Sequence, residues 1–211
     1  MSQESSGNVI ADRRFEMAQY LAERGEIVEA IELLEQTLDL VPDWVVLHFR
    51  LGELYMITER RDDALKAFST CLTLDPDDKL GAIIKLSLLG ASPRPQTLPS
   101  GYVEALFDDY ADRFDKALLE NLGYRTPWEI AAAIEKIRPY TPDTAEVILD
   151  LGCGTGLVGE AFVKRASWLE GVDMSAGMLL QAANKKIYHH TEHDEAVAFL
   201  MRQDKKYDMI I

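Results

Sequence analysis

Cysteine is scarce. The 211 residues hold two, Cys71 and Cys153. One falls in a helical pattern and one in a glycine turn, so no disulfide framework is encoded, and a reducing, cytoplasmic setting is the simplest reading. Positive charge is short as well: 22 Lys and Arg stand against 36 Asp and Glu, a net charge of −14. An acidic surface repels phosphate backbones and disfavours nonspecific nucleic-acid binding. The basic pairs Arg13-Arg14, Arg60-Arg61, Lys185-Lys186 and Lys205-Lys206 are scattered and form no patch in the sequence. No apolar run approaches the roughly 20 residues of a membrane span. Residues 1–8 are polar and lack the apolar core of a secretion signal. Of four histidines, His189, His190 and His193 gather beside Glu192 and Asp194. Their spacing matches no zinc pattern, so no metal site is assigned and solvated loop histidines are the default.

What is present begins with a repeat. At an offset of 34, Ala18 matches Gly52, Leu21 matches Tyr55, Ala30 matches Ala64, Leu34 matches Phe68 and Pro42 matches Pro76. Small, large, small, large and breaker positions recur in register. This pattern resembles the tetratricopeptide repeat, two antiparallel helices per unit with small residues where the helices touch closely. The spacing predicts helices over 11–24, 27–40, 44–58 and 62–74, with a further helix over 77–89 that caps the last unit. Residues 1–10 are expected to be flexible and 11–90 to form the repeat domain. Cys71 sits at a small-residue packing position and reads as a core thiol. Trp44 and His48 fall on the second unit's first helix, which suits peptide binding or packing and dimerisation equally. The resemblance implies a protein or peptide partner for this region.

Residues 91–101 contain three prolines and one of the glycines that flank them, and read as a linker. A second domain is expected over 102–211. It opens with an amphipathic helix or broken helix pair, apolar at 103, 106, 107, 110, 114, 117 and 118. Thr126-Pro127-Trp128-Glu129 then has the form of a capping box, with proline at the first helical position.

The stretch from Glu146 to Gly159 organises this domain. Val147, Ile148, Leu149 and Leu151 form an apolar run broken only by Asp150, as in a parallel strand covered on both faces. Gly152, Gly154 and Gly156 then alternate, which lets the backbone turn sharply and lie bare against a ligand. A helix beginning near Leu157 suits an anion at that turn. Gly154 to Gly159 is formally the G-x-G-x-x-G dinucleotide fingerprint, a weak signal by itself. The longer string Leu149-Asp150-Leu151-Gly152-Cys153-Gly154-Thr155-Gly156 resembles the first motif of class I S-adenosylmethionine-dependent methyltransferases. Leu169 to Ser175 looks like the second strand of that family, and its acid, Asp173, comes 17 positions after Gly156.

The resemblance implies a cofactor, S-adenosylmethionine, and site residues to hold it. Gly152, Cys153, Gly154, Thr155 and Gly156 would run beside its methionine part. Asp150 would meet the ammonium group or brace the loop. Asp173 would take the ribose hydroxyls, Met174 would pack on the adenine, and Asp194 would meet the adenine amino group. Phe107 to Phe114 is similar to the aromatic leading helix of such enzymes, which offers Tyr110 and Phe114 as a lid; a plain core role suits these aromatics equally. No catalytic base is assigned.

Strands are expected at 168–173, near 187–191 and at 207–211, with helices over 157–165, after Ser175, and over 195–202. The fold class is all-α repeat hairpins followed by an α/β, Rossmann-like sheet, for which the resemblance implies strand order 3-2-1-4. Class I methyltransferase sheets normally have seven strands, so the resemblance implies that four make a C-terminally truncated domain that holds the cofactor half and could itself be inactive. An apolar outermost strand then favours a homo-oligomer. The rivals are an NAD(P)-dependent oxidoreductase, against which Asp150 and the extra Gly152 discriminate, and a non-catalytic repeat scaffold.

Overall fold

A computed structural model of the chain describes residues 5–211. The chain divides into two compact units, one ending at Ala105 and one beginning at Leu106. Of the stretch expected to be flexible, residues 1–4 lie outside the described residues; helix begins at Val9.

The first unit is built of helices α1 (Val9–Glu23), α2 (Ile27–Leu38), α3 (Val45–Ile57), α4 (Arg61–Leu74) and α5 (Ala82–Leu88). Asn8 caps α1, its side-chain oxygen accepting from the amides of Ile10 and Ala11. Gly25, at φ +83°, makes the left-handed turn between α1 and α2. Seven of the ten repeat positions are core, Ala18, Ala30, Leu34, Gly52, Tyr55, Ala64 and Phe68; Leu21 is half-buried, and Pro42 and Pro76 are exposed. At Gly52 a Cβ would meet the Phe68 ring at 2.7 Å. The equivalent pair in the first unit is Ala18 and Leu34, so a larger small residue goes with a smaller large one. Tyr55 donates to Glu35 at 2.7 Å, and Arg60 lies over the Tyr55 ring at 4.4 Å, which ties α2 to the second hairpin.

Trp44 packs on Phe15 with ring centroids 4.8 Å apart, and His48 Nε2 lies 2.7 Å from the Pro42 carbonyl. The helix expected over 77–89 is shorter because Asp78 and Gly81 adopt positive φ, +51° and +76°. The buried Asp78 carboxylate instead accepts from the first amides of α5, Ala82 at 2.6 Å and Ile83 at 3.1 Å.

Helix α6 (Ser100–Lys116) starts inside the stretch read as a linker and runs into the second unit, ending in a π-helical turn Ala117–Asn121. There follow α7 (Thr126–Ile137), β1 (Glu146–Leu151), α8 (Leu157–Phe162), β2 (Ala166–Asp173), α9 (Ala176–Asn184), β3 (His190–His193), α10 (Ala196–Arg202) and β4 (Met209–Ile210). The capping box expected at Thr126 is absent: α7 has no side-chain cap, although Pro127 stands in its first turn. All four strands are parallel, in the order 3-2-1-4.

Strand β3 begins three residues later than expected: His189 N–H donates to the Leu169 carbonyl, but the Leu169 amide goes to the His189 ring rather than to backbone. One core layer joins Ile148, Phe162 and Leu169; another joins Leu149, Val172 and Phe199. Below the sheet, buried Arg165 reaches Glu146 through two nitrogens, at 3.1 and 3.2 Å, and Glu135 at 2.7 Å. This bidentate pair joins the start of β1 to the turn before β2.

Candidate functional site

The carboxyl ends of β1 and β2 open into a cleft of about 350 Å³. That is the end where parallel sheets hold ligands, and the volume falls in the range of small-molecule sites. Its wall combines bare backbone at Gly152 and Gly154, acids at Asp173, Asp194 and Glu195, and apolar groups at Phe107, Phe114, Val172, Met174 and Met178. A Cβ on Gly152 or Gly154 would meet nothing within 4 Å, and both glycines have positive φ, +78° and +52°. Here glycine serves the turn and leaves the backbone open to the cleft.

The loop is held from beneath. The amides of Gly152 and Cys153 both donate to the Val172 carbonyl, at 2.8 and 2.9 Å. Gly154 N–H donates to Asp173 Oδ2 at 2.8 Å, and Ser175 N–H to Oδ1 at 2.8 Å. Each Asp173 oxygen thus holds one backbone amide and keeps acceptor capacity for a ligand. Ser175 caps α9, accepting from Met178 N–H at 3.0 Å.

Helix α6 forms one side of the cleft. Asp108, Asp112 and Asp115 follow i, i+4, i+7 spacing and face one way. Asp108 accepts from the Ser175 hydroxyl at 2.5 Å and from Gly177 N–H at 2.9 Å. Asp112 accepts from Gln181 at 2.7 Å. Asp115 accepts from the Thr155 hydroxyl and pairs with Lys185 at 2.8 Å. These contacts bring Phe107 and Phe114 to the cleft, their rings edge to face at 6.3 Å.

Of the residues singled out from the sequence, Gly152, Gly154, Asp173, Met174 and Asp194 line the cleft. Asp194 is joined to Arg202 in an ion pair and accepts from Glu195 N–H at 2.9 Å. Phe114 lines the cleft; Tyr110 stands behind it, 5.6 Å away and under Arg113. Asp150, Cys153, Thr155 and Gly156 are buried and do not line the cleft. Asp150 receives the Tyr188 hydroxyl at 2.5 Å, and burial pushes its carboxyl up to about 6. Burial, with Asp150 and Asp173 nearby, pushes the Cys153 thiol upward, away from thiolate chemistry.

Sequence reasoning misses Phe107, Met178 and Tyr188. Phe107 shares the apolar stripe of Phe114 and is within reach of periodicity. Nothing local marks Tyr188.

The three histidines point to different partners. His189 accepts from Leu169 N–H and stacks on Trp168, and His193 meets the Met174 carbonyl. Among the described residues, Glu170, His190 and Glu192 bring possible ligand atoms within 4.8 Å of one another. Glu170 already holds Lys205, Trp168 and Tyr207.

The second unit has a partial Rossmann-like architecture and the first is built of helical hairpins, and comparison with known proteins makes both parts specific. Residues 148–211 match a family described as a methyltransferase domain, and residues 45–78 match the tetratricopeptide repeat. The chain therefore carries a tetratricopeptide repeat toward its N-terminal side and a methyltransferase domain at its C-terminal end. A demethylmenaquinone methyltransferase from Thermobifida fusca (strain YX) is 36% identical over 87 residues, covering 40% of this chain and 34% of that protein. The chain thus spans about a third of the length of that curated relative. A solved variant of an O-GlcNAc transferase from Thermobaculum terrenum overlaps 90% of this chain and 42% of its own, at 11% identity and a TM-score of 0.36, a likeness too low to carry an argument. No helix among the described residues is long and apolar enough to cross a membrane.

Proposed function

We propose that the second domain, taken as residues 102–211, binds S-adenosylmethionine and forms the cofactor half of a methyltransferase, and that the repeats at 11–90 recruit a protein or peptide partner. The observation that carries this reading is the bond from Gly154 N–H to Asp173. It fixes the glycine loop and the strand-end acid on one rim of one cleft.

The residues present fit such a cofactor. Bare backbone at Gly152 and Gly154 admits close approach by its polar end. Asp173, with one backbone amide on each oxygen, has lone pairs left for two vicinal hydroxyls. Phe107, Phe114, Met174 and Met178 offer soft, apolar faces to a flat heterocycle. When bound, the cofactor supplies a methyl group already activated by its sulfonium. The chain's own part is binding, orientation and exclusion of water, which suits in-line transfer. Asp194 and Glu195 add carboxylates to the cleft wall, where Asp194 is held in place by Arg202.

Calorimetric titration with S-adenosylhomocysteine, with NAD in parallel and Asp173→Ala as control, tests the reading. Selective binding of S-adenosylhomocysteine, lost in the variant, is expected. Selective NAD binding would make the domain a dinucleotide site instead. If neither compound binds while the repeats capture peptide, the chain is a scaffold.

A further inference from the structure

Gly159 and Gly171 do not need glycine for their backbone, since neither has positive φ. What they share is Tyr188. A Cβ on Gly171 would lie 2.9 Å from the Tyr188 ring, and one on Gly156 would also lie 2.9 Å from it. On Gly159 it would overlap the hydroxyl end of the same side chain. Three glycines, from β2, the loop and α8, thus form a slot filled by one phenol. The hydroxyl emerges at Asp150 on β1, donating at 2.5 Å to a carboxylate that is 2% exposed. The nearby Gly159 amide also favours the ionised carboxylate.

We propose that Tyr188 is a positioning residue for the glycine loop: a pin that joins β1, β2 and α8 through Asp150 and the three glycines, and so holds Gly152, Gly154 and Asp173 in place on the cleft wall. The third glycine of the G-x-G-x-x-G string then serves this tyrosine rather than a ligand. The hydroxyl matters separately from the ring. The ring fills the slot, whereas the O–H is one of the donors that satisfy a buried carboxylate. Without it Asp150 loses that bond, and the end of β1 and the turn that follows lose their link to Tyr188. The consequence for ligand rests on reading the cleft as an S-adenosylmethionine site; the consequence for the loop does not.

The test therefore has two arms, each run on the full chain with wild type, Tyr188→Phe and Tyr188→Leu. In the first, amide hydrogen exchange is followed without ligand. Tyr188→Phe is expected to speed exchange in residues 150–159 while α9 and the remainder of β2 keep their protection. Tyr188→Leu extends the same local effect by emptying the slot. In the second arm, S-adenosylhomocysteine is titrated, and Tyr188→Phe is expected to bind about tenfold more weakly, the size of one hydrogen bond to a charged group. Exchange in Tyr188→Phe that equals wild type shows that ring filling suffices and overturns the proposal. A uniform rise throughout the domain shows a merely structural residue and overturns it equally. If wild type binds no S-adenosylhomocysteine, the functional reading fails and the exchange arm still decides the pin.

Discussion

Replacing Asp150 by asparagine should stabilise the second unit at neutral pH, by an amount that vanishes in acid. Asp150 is 2% exposed, and its carboxyl rises from 3.8 to about 6, chiefly through burial, opposed by Tyr188 and the Gly159 amide and reinforced by Asp173. Because the folded value lies above the unfolded one, the native state holds its proton more tightly. Stability therefore falls as pH rises from about 4 to about 6; the penalty is complete above that window and absent below it. Two pH units correspond to on the order of 3 kcal/mol. The hydrogen bonds are already contained in that figure, since they act to lower the value.

Asparagine approximates the protonated carboxyl in shape and never ionises. Asp150→Asn should thus raise the unfolding midpoint at pH 8 by roughly 10 °C, on a sensitivity of about 4 °C per kcal/mol for a unit of this size. At pH 4 the two proteins should coincide. Unfolding would be followed by tryptophan fluorescence in a Trp44→Phe background, so that Trp128 and Trp168 report the second unit alone. A difference of the same size at pH 4 and pH 8, or a loss at pH 8, would refute the argument. Retaining the acid despite this penalty is the pattern expected where a site is kept for function rather than stability.

Other perturbations read different parts of the structure. Gly52→Ala should cost about 1–3 kcal/mol by driving a methyl into Phe68, and Phe68→Leu in the same chain should recover much of it, since the first repeat already pairs Ala18 with Leu34; chemical denaturation checks both. Arg165→Met should destabilise the second unit, by less than the roughly 3–5 kcal/mol of a wholly unpaired buried charge, because Glu146 keeps Arg138 at 3.0 Å, while adding Glu146→Gln should return part of the loss. Phe107→Ala and Phe114→Ala should each weaken S-adenosylhomocysteine binding, by the roughly 1–3 kcal/mol typical of a base stacked on an aromatic side chain, measured by titration. Burial pushes the Cys71 thiol up to about 12, so the thiolate fraction at pH 8 is about one in ten thousand; iodoacetamide should leave both cysteines unlabelled in the folded chain and label both in denaturant, scored by mass.

The parts of this protein that depend on short-range pattern are legible in the amino-acid sequence. The 34-residue offset locates two helical hairpins, because closely packed helices demand small residues at fixed places. The run from Val147 to Gly156 announces a buried strand and a turn, since few other elements join unbroken apolarity to alternating glycines. The strand order 3-2-1-4 is implied by the resemblance to class I methyltransferases, since parallel strands with helical crossovers allow more than one order. Asp173 is recognisable from its distance along the chain, as the end of the next strand.

Long-range choices are not legible there. Asp108, Asp112 and Asp115 have the spacing of a solvated acidic face; only packing of α6 against α9 and the glycine loop makes them acceptors for Ser175, Gln181 and Thr155. Hydrophobic spacing extends a helix over 77–89 and so overshoots its start, because a left-handed Asp78 leaves no mark on that spacing. The position of Asp150 at the end of a strand suits contact with a ligand, yet strand alternation alone does not say which face a neighbour covers, and Tyr188 covers it. Sequence by itself determined the elements, their order and the chemistry on offer, because those rest on backbone propensity and apolar periodicity. Tertiary structure decided which polar groups are used up inside the fold and which are left to the cleft, because a buried carboxylate or hydroxyl goes to whatever partner the chain brings within about 3 Å, however far away it lies in sequence.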